Sequence, residues 1–349
     1  MKEGNFILGD NVSKLEMDLS NYVGVKECIT CASGTDALLI PLMARNIKRG
    51  DAVFTTNFSF FATTEVISLV GATPVFVDID SQSFNIDPDL LEKKIKIVIK
   101  ENKLIPKAII AVDLFGQLAD YDKICKIAKR YNMFLIEDAC QSFGAEYNNK
   151  KACSFGDVAA TSFFPAKPLG CYGDGGAIFT NDSNLADICR SIRVHGQGID
   201  KYDNIRIGLN SRLDALQAVV LLNKLKIFDK ELKLRSEIAN YYSEKLCNYL
   251  KVPHIYKRNK SSWAQFSLLV DSEYVRDGII NFLSDNKIPT AIYYKKIFSD
   301  LKIYKGLSDD DFTISKDISK RIFSIPMHPY MEKKELDRVI DLIIEFLSK

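Results

Sequence analysis

Lys167, Asp138 and the Ser33-Gly34-Thr35 step are the residues of this 349-residue chain whose types and spacing point to chemistry. Lys167 lies in SFFPAKPLGCYGDGGAIFTND, residues 162–182, where Pro168 pushes the lysine backbone into an extended conformation and Gly170, Gly173, Gly175 and Gly176 follow. A lysine so placed is held on a tight, bent loop between two strands. Asp138 and Gln141, in IEDACQSFGA, close an apolar strand, where open α/β sheets put their ligand crevices. SGTDALL opens a helix, whose free N–H groups and dipole favour an anion such as phosphate. Each feature also has an ordinary reading: a solvated loop lysine, an N-capping acid, and Ser33 or Thr35 as a plain N-cap. Together they are the parts a pyridoxal phosphate site requires. The amine forms a Schiff base, the acid keeps the pyridine nitrogen protonated, and the helix start holds the phosphate.

The elements that must position these groups follow from the hydrophobic pattern. From about residue 22 to 195, short β-branched runs (KECITCA, AVFTT, TPVFVDI, KAIIAVDLF, MFLIEDA, VAATSFF, GGAIFT) alternate with segments of helical spacing, the signature of an α/β domain with a mostly parallel sheet. Asp87-Pro88 reads as an N-cap with proline at the first helical position, and Gly50 and Gly71 as helix stops. Beyond Arg212 the pattern predicts one long helix to about Leu246. After it, WAQFSLLV and PTAIYY read as strands, and VRDGIINFLSDN and the stretch from Lys333 as helices, a smaller α+β domain. The expected organisation is a large domain at 1–225, with an N-terminal arm at 1–20, and a small C-terminal domain at 226–349.

Length agrees, because roughly 150 residues per domain predicts two domains for this chain. The composition, 47% hydrophobic and 26% charged with net charge +2, is that of a globular protein with no broad pull toward nucleic acid. No apolar run reaches membrane-helix length, and MKEGNFILGD lacks the apolar stretch of a signal peptide. With eight cysteines scattered through apolar segments, the chain reads as cytoplasmic with reduced thiols. The Walker loop, GxGxxG, HExxH and GxSxG are absent. The Cys28/Cys31 pair lies in a strand, where residues three apart face opposite sides, so no metal site is expected.

The ordered motifs ASGTDALL, GATPVFVDID, FNIDP, IEDACQSFGA, SFFPAKPLG to GDGGAIFTND, RVHGQ and GLNSRLDALQA resemble the DegT/DnrJ/StrS-type nucleotide-sugar aminotransferases over nearly the whole chain. The resemblance implies the aspartate aminotransferase-like, fold type I architecture of pyridoxal phosphate-dependent transferases. It makes Lys167 the Schiff-base lysine, whose freed amine then moves the reaction's proton. It implies Asp138 as partner of the pyridine nitrogen and Gln141 at the ring oxygen. Gly34, Thr35 and Ser162 would be phosphate contacts, and Phe60, flanked by Phe58 and Phe61, the ring stacked on the cofactor. Asn210 would be a phosphate contact delivered from a second subunit, so the expected assembly is a homodimer with shared active sites. His195 and His328 sit in family-like motifs and read as structural histidines.

The motifs most resemble members that aminate carbon 3 of a UDP-linked 3-keto sugar, such as the 2-acetamido-3-oxo-glucuronate enzymes. By that likeness Gly4, Phe6, Ala166, Arg212, Tyr293 and Tyr294 would line the sugar-nucleotide pocket, Arg212 suiting a carboxylate or diphosphate. L-Glutamate, leaving as 2-oxoglutarate, is the donor the resemblance implies, and surface glycan precursors are the destination. Relatives commonly carry His-Tyr where this chain has Tyr293-Tyr294, and serine where it has Ala166; they also carry an extra helix ahead of the GNFILGD-like segment. The alternatives are a dTDP-linked or 4-keto sugar substrate, a sugar dehydratase, which the presence of Lys167 opposes, and a non-catalytic regulatory protein on the same fold.

Overall fold

Strands that are buried at nearly every position, as β-runs such as DAVFTT and FLIED are, must be covered on both faces, and this chain covers them with helices. The computed structural model describes residues 6–200, 202–308 and 310–349. In chain order come α1 (Asp10–Val23), β1 (Glu27–Cys31), α2 (Gly34–Ala44), β2 (Asp51–Thr56), α3 (Ala62–Leu69), β3 (Thr73–Val77), α4 (Pro88–Glu101), β4 (Ile105–Val112), α5 (Tyr121–Arg130) and β5 (Phe134–Asp138). The short β6 (Glu146–Tyr147) and β7 (Lys150–Lys151) follow, then β8 (Val158–Ser162), β9 (Gly176–Thr180) and α6 (Ser183–Arg193). Seven strands form one sheet in the order β1-β9-β8-β5-β4-β2-β3. It is parallel from β3 to β8, and β9 runs antiparallel to both its neighbours. Alternate residues enter different cores: Cys28, Phe54, Ile109, Leu135 and Phe179 lie on one face, Ile29, Cys31, Val53, Ile110 and Ile136 on the other.

The remainder comprises α7 (Ala215–Leu225), α8 (Phe228–Leu246), β10 (Asn259–Lys260), β11 (Phe266–Leu269), α9 (Glu273–Asp285), α10 (Thr313–Arg321), β12 (Ile322–Ile325) and α11 (Lys333–Leu347). β11 and β12 pair antiparallel, and around them Tyr242, Phe266, Ile279, Phe323 and Ile340 make a separate core. A fourth cluster, with Phe58, Phe76 and Val112 from the sheet side and Tyr294, Phe298 and Ile322 from the C-terminal part, joins the two.

Four expectations change. The long helix after Arg212 is two, interrupted at Lys226-Ile227, where Ile227 has φ −111° and ψ 0° and is 47% exposed. No proline or glycine causes the break. α7 must pack on α1 while α8 carries Phe228 into the sheet's core and Ile238 and Tyr242 into the C-terminal core, and one straight axis does not serve both. PTAIYY makes a single bridge, Ala291 to Ser324, and no strand. The segment that follows is drawn to the main sheet instead, because Phe298 N–H donates to the Asn57 carbonyl (3.0 Å) and Ser299 N–H to Asn57 Oδ1 (2.9 Å). Half of the expected arm is α1, its Leu15 and Leu19 fully buried. Glu16 pins it, accepting from Arg193 Nη1 (2.6 Å) and from the N–H and Oγ1 of Thr30 (2.8 Å each). Gly71 does follow α3 with φ 78°, but Gly50 lies in the turn before β2. Asp87 caps α4 as expected, accepting from the N–H groups of Asp89 and Leu90. Among the described residues no helix is long and apolar enough to cross a membrane.

Candidate active site

Asp138 is the last residue of β5, so the sheet delivers its carboxylate to the carboxyl edge. It is 3% exposed. Oδ2 accepts from Thr63 Oγ1 on α3 (2.8 Å) and Oδ1 from the Cys140 N–H (3.3 Å). Among the described residues it has no cationic partner within ion-pair distance. A buried carboxylate with hydrogen bonds but no counter-charge is costly unless a cationic group completes it. Cys140, directly beside it, senses both ends of the site. Burial pushes its thiol well above the usual range, the Asp138 charge adds to that, and the Lys167 ammonium opposes it.

Ser33 caps α2, its Oγ accepting from the Asp36 N–H (3.1 Å), which leaves the amides that follow free to face an anion. Two close approaches shape this corner. A Cβ on Gly34 would lie 2.6 Å from Ser162 Cβ and 3.1 Å from Cys140 Sγ, and a Cβ on Gly176 would lie 2.3 Å from the Ser33 carbonyl oxygen. The start of α2 thus meets the start of β9 backbone to backbone and packs directly on the Ser162 side chain at the end of β8. Lys167 sits on the loop between β8 and β9, closed by its own N–H donating to Phe164 O (2.8 Å) and by Cys171 N–H donating to Phe163 O (2.7 Å). Its side chain is part-exposed, whereas Ala166 is exposed.

Gln141, 3% exposed, is held at both ends of its amide: Phe115 N–H donates to Oε1 and Nε2 donates to Tyr294 Oη, each 3.0 Å. Of the three expected stacking candidates, Phe58 is fully buried and Phe61 packs on Tyr304, whereas Phe60 is 60% exposed. Phe60 alone presents an open ring.

The structure brings together Gly34, Thr35, Asp138, Gln141, Ser162 and Lys167, all at the carboxyl edge of the sheet or the adjoining loops. Asn210 stands apart on an exposed strip bridged to Val194. Its neighbour Ser211 donates to Asp36 Oδ2 (2.6 Å) and accepts from Ala32 N–H, tying that strip to the start of α2. Arg212 is part-exposed and lies before the Asp214 cap of α7, outside the helix. Phe6, 61% exposed, lies at the same edge, its carbonyl accepting from Ala215 N–H (2.9 Å). Tyr293 is 49% exposed but Tyr294 only 8%, so the pair has one open and one enclosed member. Gly4 lies outside the described residues. Thr63 and Cys140 were not among the expected site residues. Cys140 stands in plain sight between Asp138 and Gln141, while Thr63 has the weaker signal of a hydroxyl closing the NFSFFAT run.

This donor set fits pyridoxal phosphate: a counterion-free buried acid for a protonated ring nitrogen, a glycine-floored helix start for a phosphate, an amide for a ring oxygen and an amine on a constrained loop. The comparisons agree. The family model described as the DegT/DnrJ/EryC1/StrS aminotransferase family matches residues 1–344. The UDP-2-acetamido-2-deoxy-3-oxo-D-glucuronate aminotransferase of Pseudomonas aeruginosa is 44% identical over 95% of this chain and 89% of its own length. A protein of Geobacillus stearothermophilus described as a pleiotropic regulatory protein is 38% identical over 99% of this chain and 92% of its own. The crystal structure of a DegT DnrJ EryC1 StrS aminotransferase from Brucella abortus, 49% identical, superposes with a TM-score of 0.97 over 100% of this chain and 93% of that one.

Proposed function

The chain belongs to the DegT/DnrJ/EryC1/StrS aminotransferase family, and on that premise we propose that it moves an amino group from L-glutamate to the keto carbon of a nucleotide-linked sugar, in the making of surface glycan precursors. The observation that carries the reading is Asp138, buried at the carboxyl edge of the sheet with no ion-pair partner among the described residues. A UDP-linked 3-keto sugar is the favoured acceptor, supported by the likeness to the Pseudomonas aeruginosa enzyme.

When bound, pyridoxal phosphate supplies the electron sink that lets an amine pass from donor to acceptor. The chain's own groups do the rest. Asp138, fixed by Thr63 and Cys140, holds a proton at the ring nitrogen. Gln141 would donate to the ring oxygen, Phe60 would cover a ring face, and Gly34, Thr35 and Ser162 would hold the phosphate. The Lys167 amine would hold the cofactor and, when free, would be the group placed to move a proton. Ala166, Arg212, Tyr293 and Phe6 are the sugar-nucleotide contacts of this reading, with Arg212 for a carboxylate or diphosphate.

A homodimer completes the site in this reading. Its support is the exposed apolar surface around Asn210, with Phe6 (61%), Tyr172 (76%), Ile207 (85%) and Leu216 (69%) open on one protomer. The division into a large domain at 1–225 and a small one at 226–349 is supported by the separate C-terminal core, and a cytoplasmic location by the eight unpaired cysteines.

A purely regulatory role is disfavoured because the cofactor-site residues Lys167, Asp138 and Gln141 are all present, and a dehydratase because Lys167 is a lysine. The test is to mix protein, pyridoxal phosphate, L-glutamate and a UDP-linked 3-keto sugar, then follow 2-oxoglutarate and the amino sugar by mass spectrometry. Lys167→Ala is expected to lose both products and the near-ultraviolet band of the lysine-bound cofactor. Undiminished amination by that variant rejects the assignment.

A further inference from the structure

Tyr294 was expected to face the sugar, yet its ring is 8% exposed and its hydroxyl is engaged elsewhere. Three contacts form a closed ring: Gln141 Nε2 donates to Tyr294 Oη (3.0 Å), Tyr294 stacks on Phe115 (centroids 6.0 Å apart, planes 16° apart), and Phe115 N–H donates to Gln141 Oε1 (3.0 Å). This ring fixes the amide's orientation on chemical grounds. A backbone N–H only donates, so the oxygen of Gln141 must face Phe115 and the nitrogen must face the phenol. One hydrogen of the Gln141 nitrogen is spent on Tyr294, and one remains. Burial pushes the Tyr294 phenol far above its usual range, so it stays neutral. Tyr294 is in turn fixed from both sides: Phe58 meets it edge-on at 5.4 Å, and the loop beyond it is clasped by Asn57, which binds Phe298 and Ser299.

We propose that Tyr294 is a positioning residue, which with Phe115 locks the Gln141 amide so that its remaining N–H serves the cofactor's ring oxygen. The proposal rests on the reading of the site given above. A donor at the ring oxygen competes with the proton shared by the lysine–cofactor linkage, so it lowers the pH at which that linkage loses its proton. Releasing the amide has the opposite effect.

The experiment is a pH titration of the near-ultraviolet band of the holoenzyme. Tyr294→Phe is expected to raise the midpoint by about one pH unit, a tenfold change in proton affinity. It should lower kcat by more than it raises KM for the sugar, as for a group that acts on the cofactor's amide partner. In a Gln141→Leu background it should add no further shift, because it acts through that amide. Phe115→Leu, which removes the stack and keeps both hydrogen bonds, should shift the midpoint the same way by less, and it substitutes for Tyr294→Phe should that variant not fold. Tyr304→Phe, which also removes a buried phenol hydroxyl, one bonded to Ser68 Oγ at 2.9 Å, is the control and should leave the midpoint unchanged. An unchanged midpoint in folded Tyr294→Phe, or a shift fully additive with Gln141→Leu, overturns the proposal and leaves the site reading standing. A wild-type protein that shows no such band with pyridoxal phosphate overturns both.

Discussion

Replacing Asp138 by asparagine should push the cofactor-free protein and its affinity for cofactor in opposite directions. In the free protein the carboxylate is 3% exposed and has the Thr63 hydroxyl and the Cys140 amide and thiol as its hydrogen-bond partners. Asparagine keeps these contacts, because its oxygen accepts from Cys140 and the Thr63 hydroxyl turns to accept from its amide. The charge assistance lost from these hydrogen bonds is about 2 kcal/mol. Removing a buried charge that has no counterion returns several. The cofactor-free variant should therefore be more stable by about 1 kcal/mol, a rise of about 1–2 °C in Tm when the per-residue unfolding entropy is scaled to this length. With cofactor the balance reverses, since a buried charge pair is lost, at a cost of about 3 kcal/mol or roughly a hundredfold in affinity. The assay pairs thermal melts of the cofactor-free proteins with a titration by pyridoxamine 5′-phosphate, which binds without a covalent link. A variant that melts lower and binds that ligand as tightly as wild type refutes the reasoning, because Asp138 would then be a structural acid.

Three further outcomes follow from the same structure. Gly34→Ala, whose new methyl would lie 2.6 Å from Ser162 Cβ, should cost about 1–3 kcal/mol of stability in a urea melt by overpacking and weaken competition by inorganic phosphate for the cofactor. Burial raises Asp113 to about 7 and, with the charge of Asp113, lifts Glu137 well above the usual carboxylate range, so the folded pair keeps protons that the unfolded chain releases near pH 4. Its contribution to stability is therefore present at low pH and is lost as pH rises to about 7, by up to about 1.4 kcal/mol per pH unit for each proton; urea midpoints across that range should fall less steeply for Asp113→Asn than for wild type. Glu16→Ala leaves the nearly buried Arg193 without its carboxylate and should lower the urea-melt stability by about 3 kcal/mol.

The seven-stranded sheet and its ligand edge were legible because each strand's signal is local. A run such as MFLIEDA fixes both its burial and the residue at its end. The features that escaped depend on chain segments far apart. Nothing between residues 215 and 246 marks the break at Ile227, because the two cores that demand it lie in different parts of the fold. PTAIYY has strand-like residues, but the pull of Asn57, more than 200 positions away, outweighs that propensity. The same distance hid Tyr294: its hydroxyl meets Gln141 across 153 residues. Pattern reading could name the tyrosine without finding what it touches.

The junction of α2, β8 and β9 has a consequence for genetics. At Gly34 the obstacles to a larger residue are the side chains of Ser162 and Cys140, so a folding lesion there has a compensating change available, Ser162→Gly, at the loss of one phosphate contact in the proposed site. At Gly176 the obstacle is the carbonyl oxygen of Ser33, which every amino acid carries. A selection for suppressors should recover partners for the first lesion and, for the second, only reversion.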